Sequence, residues 1–268
     1  MSGTVLVDEL DDGIRQLTMN RPACLNALSA ELIDDLHVEL DRVASDESCR
    51  VVVLTGAGRG FCSGLDLEEF DFDAENEGWD SPQVRMATQQ RIVALVHRLR
   101  GLRQPVIAAV NGPAAGGGFA LALACDVRIA AETARFAVSF SRIGLSGCDI
   151  GVSWLLPRLV GASRAFELML TGRTIDIDEA YDVGLLTKCV PPDDLLTAAR
   201  ETAGLIARNS PMGIRMTKEV MWSQLEVGSL RAGVDLENRT QVMLSFTADQ
   251  AEAAAAFTSG RSAQFLDR

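Results

Sequence analysis

The sequence predicts one large α/β fold built on a mainly parallel sheet. Three apolar runs of strand length are separated by stretches with helical patterning: VVVLTG (51–56), VIAAVNG (106–112) and CDVRIAA (125–131). Apolar runs of this kind are typical of parallel strands that are buried on both faces. The strands alternate with helices in the first part of the sequence, and the part that follows has helical patterns without strand patterns. We therefore expect an α/β core over residues 1–195 and a helical region over residues 196–268 that serves oligomerisation.

The first elements are predicted to be two paired strands and a helix. Residues 4–10 and 14–20 have strand character, and the Asp12-Gly13 pair between them favours a hairpin turn. Ser29 is a typical N-cap residue. The apolar residues that follow it lie on one helical face: Leu32, Ile33, Leu36, Leu40 and Val43.

Helices account for most of the remaining chain. One long helix is predicted at 83–102, before the second buried strand, and a short one follows the glycine-rich segment. The C-terminal patterns predict four more helices, at 193–209, 211–225, 229–245 and 249–258.

Charge and composition exclude several classes of function. The chain has 25 Lys and Arg against 37 Asp and Glu, a net charge of −12, which argues against binding to nucleic acid or to an acidic membrane surface. No apolar run reaches the roughly 18 residues that a membrane span needs, and the first residues do not resemble a secretory signal. The six cysteines form no C-x-x-C pair and no metal-ligand spacing. We expect a cytoplasmic protein without a metal, with thiols that are free and mostly buried.

The segment NGPAAGGGFALALACD (111–126) allows three interpretations. A nucleotide site is excluded, because Phe119 and Ala120 replace the lysine and hydroxyl of a P-loop, and TGAGRGF (55–61) lacks the third glycine of a dinucleotide fingerprint. In the structural interpretation, Gly117 and Gly118 only permit a tight turn. In the chemical interpretation, the free N–H groups at this helix N-terminus stabilise a developing oxyanion.

Four linked motifs resemble the crotonase, or enoyl-CoA hydratase/isomerase, family. They are RPACLNAL (21–28), GFCSGLDL (60–67), AVNGPAAGGGFALALACDVRIAAETARF (109–136) and ELMLTGRTIDIDEAYDVGLLTKCV (167–190). The resemblance implies a spiral of ββα turns with a C-terminal helical trimerisation region. It also implies a homotrimer or hexamer that acts on acyl-CoA thioesters in fatty-acid or related acyl-CoA metabolism, with no cofactor besides the coenzyme A of the substrate.

The resemblance also assigns roles to residues. It implies that the backbone N–H groups of Leu65 and Gly117 hold the thioester oxygen. It places the adenine and pantetheine of coenzyme A against a wall made by Arg21, Ala23, Cys24, Leu25, Ser63, Asp66 and Leu67. Arg21 and Arg59 are the candidates for the phosphates of coenzyme A.

Both glutamates that enoyl-CoA hydratases use are replaced in this chain, by Ala120 and Phe140. The best substitute is Asp149, which resembles the aspartate of dienoyl-CoA isomerases and of 4-chlorobenzoyl-CoA dehalogenase. Compared with those enzymes, this chain has one extra residue between Gly144 and Asp149. Ser141 or Phe140 stands at the position of the companion glutamate in the isomerases. Asp149 is thus either a catalytic carboxylate or the cap of a helix that begins near Gly151.

A single carboxylate leaves several reactions open. Double-bond isomerisation, or nucleophilic hydrolysis through Asp149, needs fewer groups than hydration, although most family members are called hydratases. Loss of both glutamates also allows a non-catalytic acyl-CoA-binding protein.

Other side chains are weaker catalytic candidates. Glu68 and Glu69 are expected to be solvated, Cys62 and Cys148 have no nearby base to activate them, and His97 is expected to be exposed on the long helix.

Overall fold

The structure is a computed structural model that describes residues 3–10, 13–69 and 81–267. Its strands are β1 (Val5–Glu9), β2 (Ile14–Met19), β3 (Val51–Gly56), β4 (Val106–Val110), β5 (Pro113–Ala115), β6 (Val127–Ala131), β7 (Arg135–Ala137), β8 (Thr174–Ile175) and β9 (Lys188–Val190). Its α-helices are α1 (Ala30–Ser45), α2 (Pro82–Gly101), α3 (Gly117–Ala124), α4 (Val152–Val160), α5 (Ala162–Thr171), α6 (Ile177–Asp182), α7 (Leu195–Ala207), α8 (Pro211–Gln224), α9 (Leu230–Leu244) and α10 (Ala248–Ser259).

The main sheet has six strands in the order β1-β2-β3-β4-β6-β9. All neighbours in it run parallel except β1 and β2, which form the expected antiparallel pair with Val5 opposite Met19. Asp12, half of the predicted hairpin turn, lies outside the described residues. A second sheet, β5-β7-β8, lies beside the first. Its strands are two or three residues long, too short to leave a periodic pattern in the sequence.

The buried strands divide the apolar core into two layers. Val52 and Leu54 of β3 face the layer under helices α1 to α4, whereas Val51 and Val53 face the layer under α7. Every residue of β3 is buried, which is the physical reason for its mainly apolar sequence. The predicted α/β class with a parallel sheet is confirmed.

Helix α1 confirms the prediction made for it. The Ser29 hydroxyl accepts a hydrogen bond from the Leu32 N–H at 3.1 Å and satisfies one of the free donors of the first turn. Its buried residues are the five on the predicted apolar face: Leu32, Ile33, Leu36, Leu40 and Val43.

The C-terminal helices match their predicted positions to within two residues at each end. Helix α7 packs through Leu195, Ala198, Ala199 and Ala203 on the face of the main sheet that α1 leaves uncovered. Helices α9 and α10 carry large apolar side chains that remain exposed, and Phe246 follows the end of α9. Within the described ranges, no helix has both the length and the apolar character needed to cross a bilayer.

Candidate active site

Two buried parallel strands deliver the chain to the same edge of the main sheet. Strand β3 ends at Gly56 and β4 ends at Val110, two residues before the predicted end of its apolar run. The carboxyl ends of parallel strands are the usual place for a binding crevice in α/β folds. The segments that leave β3 and β4 here contain the two glycine-rich motifs.

The segment after β3 is held by two buried or half-buried asparagines. The Asn26 amide donates to the carbonyls of Ala57 and Gly60 at 3.0 and 2.8 Å, and its oxygen accepts from the Arg21 N–H at 2.8 Å. The Asn111 amide donates to the carbonyls of Gly58 and Gly60 at 2.9 and 3.1 Å. The backbone of residues 57–61 is therefore fixed by side chains from both neighbouring segments.

Residues 61–65 then run between the first and third sequence motifs. Leu65 pairs with Leu28 on one side, and Cys62 pairs with Ala114 on the other. The Leu28 N–H donates to the Gly64 carbonyl at 2.8 Å, and the Ala115 N–H donates to the Cys62 carbonyl at 3.0 Å. These pairings bring Leu65 next to the N-terminus of α3.

Two glycines allow this close approach. Gly64 has a φ of +100°, and a Cβ added there would lie 2.9 Å from the Ala115 carbonyl oxygen and 3.4 Å from the Gly117 nitrogen. A Cβ on Gly118 would lie only 2.1 Å from the Cys62 carbonyl oxygen. The structural interpretation of the glycines is therefore correct for Gly118, whose role is backbone packing.

The amides of Leu65 and Gly117 remain available for a ligand. Within the described residues neither N–H has a hydrogen-bond acceptor, whereas their neighbours Asp66 and Gly116 donate to Leu28 and Ala137. Gly117 is the first residue of α3, so the positive end of the helix dipole lies behind its N–H group. Both amides belong to residues that line the same cavity. Two such donors suit an oxygen that gains negative charge during a reaction.

This cavity has a volume of about 810 Å³ and brings together the three predicted catalytic residues, Leu65, Gly117 and Asp149. Its walls are mainly apolar, with contributions from Leu28, Met86, Ile92, Phe140, Ile143 and Ile150. The size and mainly apolar character of the cavity suit a small-molecule ligand.

Asp149 lies in the loop before α4 and lines the cavity. Its Oδ1 accepts hydrogen bonds from the N–H of Ile150 at 2.8 Å and from the side-chain amide of Gln89 on α2. The alternative interpretation of Asp149 as a helix cap is wrong, because Gly151 occupies the N-cap of α4 and no side chain caps that helix.

The two residues that the resemblance places at the glutamate positions of hydratases, Ala120 and Phe140, are apolar and buried. Ala120 is fully buried within α3, and Phe140 lines the cavity beside Gly116. Among the described residues that line the cavity, Asp149 is the one carboxylate. It is therefore the one anionic group in the described part of the cavity that can act as a base.

The residues assigned to coenzyme A follow the rim of the cavity and the turn beside it. Ser63 and Leu67 line the cavity. The Ser63 hydroxyl donates to the Cys24 carbonyl at 3.2 Å, and the Ser63 N–H donates to the Leu25 carbonyl at 3.0 Å. Ala23 and Cys24 are exposed on this turn. The wall named from the resemblance is thus one continuous surface next to the cavity, while Arg59 lies exposed on the adjoining loop.

Arg21 and Asp66 form an ion pair at 2.8 Å, and Arg21 also donates to the Ala27 carbonyl. Burial alone would raise the pKa of Asp66, but the hydrogen bond and positive charge of Arg21 outweigh it and lower that pKa. Asp66 therefore already balances part of the positive charge of Arg21 within the surface assigned to coenzyme A.

The weaker candidates are all accounted for. Glu69 accepts a hydrogen bond from the Ala30 N–H at the start of α1, and Glu68 is exposed. Burial raises the pKa of Cys62 to about 12, so its thiol is not a nucleophile at neutral pH. Cys148 lines the cavity and His97 is exposed, as expected for the histidine. The expectation that most cysteines are buried is wrong, because Cys24, Cys148 and Cys189 are exposed.

Sequence reasoning missed three residues that support the site, Asn26, Asn111 and Gln89. The two asparagines lie inside the quoted motifs, RPACLNAL and AVNGPAAGGG, and were a signal that a polar residue is needed at a tight turn. Gln89 had no such signal, since it is one of several polar residues on a helix of mixed composition.

The fold and the site define a class of protein: an α/β protein in which two neighbouring backbone amides and a single carboxylate, among the described residues, line one mainly apolar cavity. This arrangement suits an oxygen that gains negative charge during a reaction. The comparison with known proteins gives the family. A family model for enoyl-CoA hydratase/isomerase matches residues 9–268, and the chain belongs to this family.

Individual relatives agree with this assignment. The chain is 42% identical over 264 residues to a probable enoyl-CoA hydratase, echA12, of Mycobacterium bovis. The aligned residues cover 98% of this chain and 93% of that protein. The crystal structure of a probable enoyl-CoA hydratase/isomerase from Mycobacterium abscessus superimposes with a TM-score of 0.91 at 38% identity, covering 99% of this chain and 100% of that one. A monofunctional enoyl CoA isomerase from M. smegmatis gives a TM-score of 0.74 at 42% identity, covering 87% and 99%. The predicted family and crotonase-like fold are confirmed.

Proposed function

We propose that the protein is an isomerase of enoyl-CoA thioesters that moves a carbon–carbon double bond with one carboxylate, Asp149. The observation that carries the proposal is that Asp149 is the one carboxylate among the described residues that line the cavity, which also holds the free amides of Leu65 and Gly117. The relative from M. smegmatis that is called a monofunctional enoyl CoA isomerase is 42% identical to this chain, which supports the same choice.

The reaction needs one base and one oxyanion site. Asp149 removes a proton from C2 of a 3-enoyl-CoA, and the electrons of that C–H bond form a dienolate whose oxygen is held by the N–H groups of Leu65 and Gly117. The carboxylic acid of Asp149 then returns the proton to C4, and the double bond lies between C2 and C3. No water and no redox partner is consumed. Each donor to such an oxyanion contributes about 2.7–4 kcal/mol to the transition state.

Hydration is less well supported, because water must be activated and a second proton must be placed. The two residues at the hydratase glutamate positions, Ala120 and Phe140, cannot transfer a proton. Phe140 instead adds an apolar surface to the cavity, which favours the exclusion of water. A hydratase name is nevertheless carried by the relative from M. bovis, so hydration is the reaction to test in parallel.

The test compares the wild-type protein with Asp149→Asn on three substrates: a 3-enoyl-CoA, crotonyl-CoA and an aroyl-CoA. Conversion of the first is followed by the ultraviolet absorbance of the conjugated 2-enoyl thioester. We expect the wild type to isomerise the 3-enoyl-CoA and Asp149→Asn to lose about 10²–10⁴-fold in kcat with little change in KM. Asp182→Asn is the matched control, because Asp182 is exposed at the end of α6.

Each alternative function has its own outcome. Hydration of crotonyl-CoA without isomerisation would assign the protein to the hydratases, and release of free coenzyme A would assign it to the thioester hydrolases. Binding of all three thioesters without turnover would identify a non-catalytic acyl-CoA-binding protein.

The proposal includes assembly into a homotrimer or hexamer through the C-terminal region, Val227 to Phe265. Three large apolar side chains of this region are 85–90% exposed in the single chain: Leu230 on α9, Phe246 between α9 and α10, and Phe257 on α10. Their exposure supports burial of this surface between copies. Sedimentation velocity of the full chain tests it, and a monomer at micromolar concentration would contradict it. The six free cysteines support placement of the protein in the reducing cytoplasm.

A further inference from the structure

Helix α2 contributes one polar contact to the base of the reaction. Its residues Arg85, Met86, Gln89 and Ile92 line one wall of the cavity, because Gln89 lies three or four positions from each of the others and so shares their face of the helix. Gln89 is half-buried in this row, and its side-chain amide donates a hydrogen bond to Oδ1 of Asp149. The contact joins residues that are 60 positions apart in the chain.

The two oxygens of Asp149 have different surroundings. Oδ1 accepts two hydrogen bonds, from Gln89 and from the Ile150 N–H at 2.8 Å. Within the described residues Oδ2 has no hydrogen-bond donor. The side chain is therefore held by one oxygen, and its other oxygen is available to a ligand in the cavity.

We propose that Gln89 is a positioning residue that fixes Oδ1 of Asp149 and leaves Oδ2 as the oxygen that carries the proton. This inference rests on the proposed function. When Asp149 takes a proton from C2, Oδ1 continues to accept its two N–H bonds, so the new O–H bond forms at Oδ2. The same oxygen then releases the proton to C4, and the carboxylate returns to its starting state with no other reactant.

A neutral amide suits this role better than a charged side chain would. An arginine or lysine at position 89 would stabilise the carboxylate more strongly and weaken it as a base, whereas a carboxylate there would repel it. The other titratable groups that line the cavity in the described residues are Arg85, also on α2, and Cys148, next to Asp149.

The test uses three variants of α2 in the full-length protein. Gln89→Met keeps the length of the side chain and the helix propensity but removes the donor. Gln89→Glu keeps the shape but replaces the donor by a carboxylate. Gln90→Met is the matched control, since Gln90 is the exposed neighbour on the same helix. Steady-state kinetics with a 3-enoyl-CoA give kcat and KM for each variant across pH 5–9.

We expect kcat to fall about tenfold or more in Gln89→Met and at least as far in Gln89→Glu, with KM within about twofold of the wild type. Gln90→Met should leave kcat and the pH profile unchanged. A role in packing alone would leave Gln89→Glu active, since glutamate has the shape of glutamine.

Two results would overturn the inference in distinguishable ways. If Asp149→Asn loses turnover while Gln89→Met or Gln89→Glu keeps the wild-type kcat and pH profile, the positioning role is wrong and the proposed function stands. If the wild type does not isomerise a 3-enoyl-CoA, the proposed function and this inference are both wrong. A circular dichroism melt of each variant shows whether it is folded, and the Asp149–Gln89 contact is supported only by loss of kcat in a folded variant.

Discussion

The substitution Gly64→Ala tests whether two backbone amides converge on one oxygen. Gly64 precedes Leu65 and has a φ of +100°, a conformation that residues with a Cβ rarely adopt. A Cβ there would point at the segment that leads to α3, 2.9 Å from the Ala115 carbonyl oxygen and 3.4 Å from the Gly117 nitrogen. The added methyl group would therefore lie between the two segments that supply the amides.

The geometry gives the size of the effect. Moving the Ala115 oxygen from 2.9 Å to an ordinary contact of 3.4 Å needs a displacement of about 0.5 Å, which separates the amides of Leu65 and Gly117. A misplacement of about 1 Å in a catalytic group costs on the order of 10²-fold in rate. A displacement of about half that size should therefore lower kcat roughly tenfold to a hundredfold. The positive φ should cost a further 1–3 kcal/mol or so in the free energy of unfolding.

The assay pairs turnover with stability in the same preparation. Isomerisation of a 3-enoyl-CoA gives kcat, and urea unfolding followed by circular dichroism gives the change in stability at one fixed protein concentration. Gly161→Ala is the control. Gly161 also has a positive φ, +79°, but lies between α4 and α5, where a Cβ would meet no atom within 4 Å.

The control separates backbone strain from damage to the site. Gly161→Ala should lose stability by a similar 1–3 kcal/mol or so and keep its kcat within about twofold. If Gly64→Ala is less stable yet turns over at the wild-type rate, the amides of Leu65 and Gly117 do not hold the reacting oxygen, and the assignment of the site is wrong.

Two further predictions concern stability and thiol reactivity. The Lys218 ammonium is buried, donates to the carbonyls of Leu99 and Gln104 at 3.1 and 2.9 Å, and pairs with Asp126 at 2.9 Å. Lys218→Met should lower the free energy of unfolding by about 3 kcal/mol, the low end for a broken buried ion pair, because Asp126 keeps its hydrogen bonds from Val106 and Trp222. The control Lys188→Met, at an exposed lysine, should change the free energy of unfolding by less than about 0.5 kcal/mol. Equal losses for the two variants in urea unfolding would contradict this prediction. Burial raises the pKa of Cys49 to about 11 and those of Cys62 and Cys125 to about 12, so a thiol reagent at pH 8 should label three cysteines in the native protein and six in urea. A saturating acyl-CoA should slow labelling of Cys148, which lines the cavity, and leave Cys189 unchanged; protection of neither would place the ligand elsewhere.

Local sequence patterns predicted the elements that carry most of the core. The run at 51–56 is mainly apolar because β3 is covered on both faces, and its one polar side chain, Thr55, donates to the Ala109 carbonyl. The apolar residues of α1 recur with the helical period because one face packs on the sheet. Strands β5, β7 and β8 were not predicted, since two or three residues leave no period to recognise. Their pairing depends on partners that are distant in the chain.

The candidate site was predicted only in part. The linked motifs gave Leu65 and Gly117, a separate resemblance to dienoyl-CoA isomerases gave Asp149, and the structure places all three around one cavity. The choice between a base and a helix cap for Asp149 could not be made from residue spacing, because aspartate is common in both settings. The structure rejects the helix cap, because Gly151 occupies the N-cap position of α4 and no side chain caps that helix. It also brings Gln89 of α2 into contact with Asp149 in the loop before α4.

The sequence by itself determined the class of fold, the family and the two glycine-bearing segments. These are properties of residue identity and of local period, which a linear chain displays directly. Only the tertiary structure decided how these groups are paired: among the described residues, the neighbouring amides of Leu65 and Gly117 have no acceptor, and one oxygen of Asp149 is held while the other has no donor. Hydrogen-bond partners and the direction of a side chain depend on contacts between segments tens of residues apart, and these contacts form only when the chain is folded.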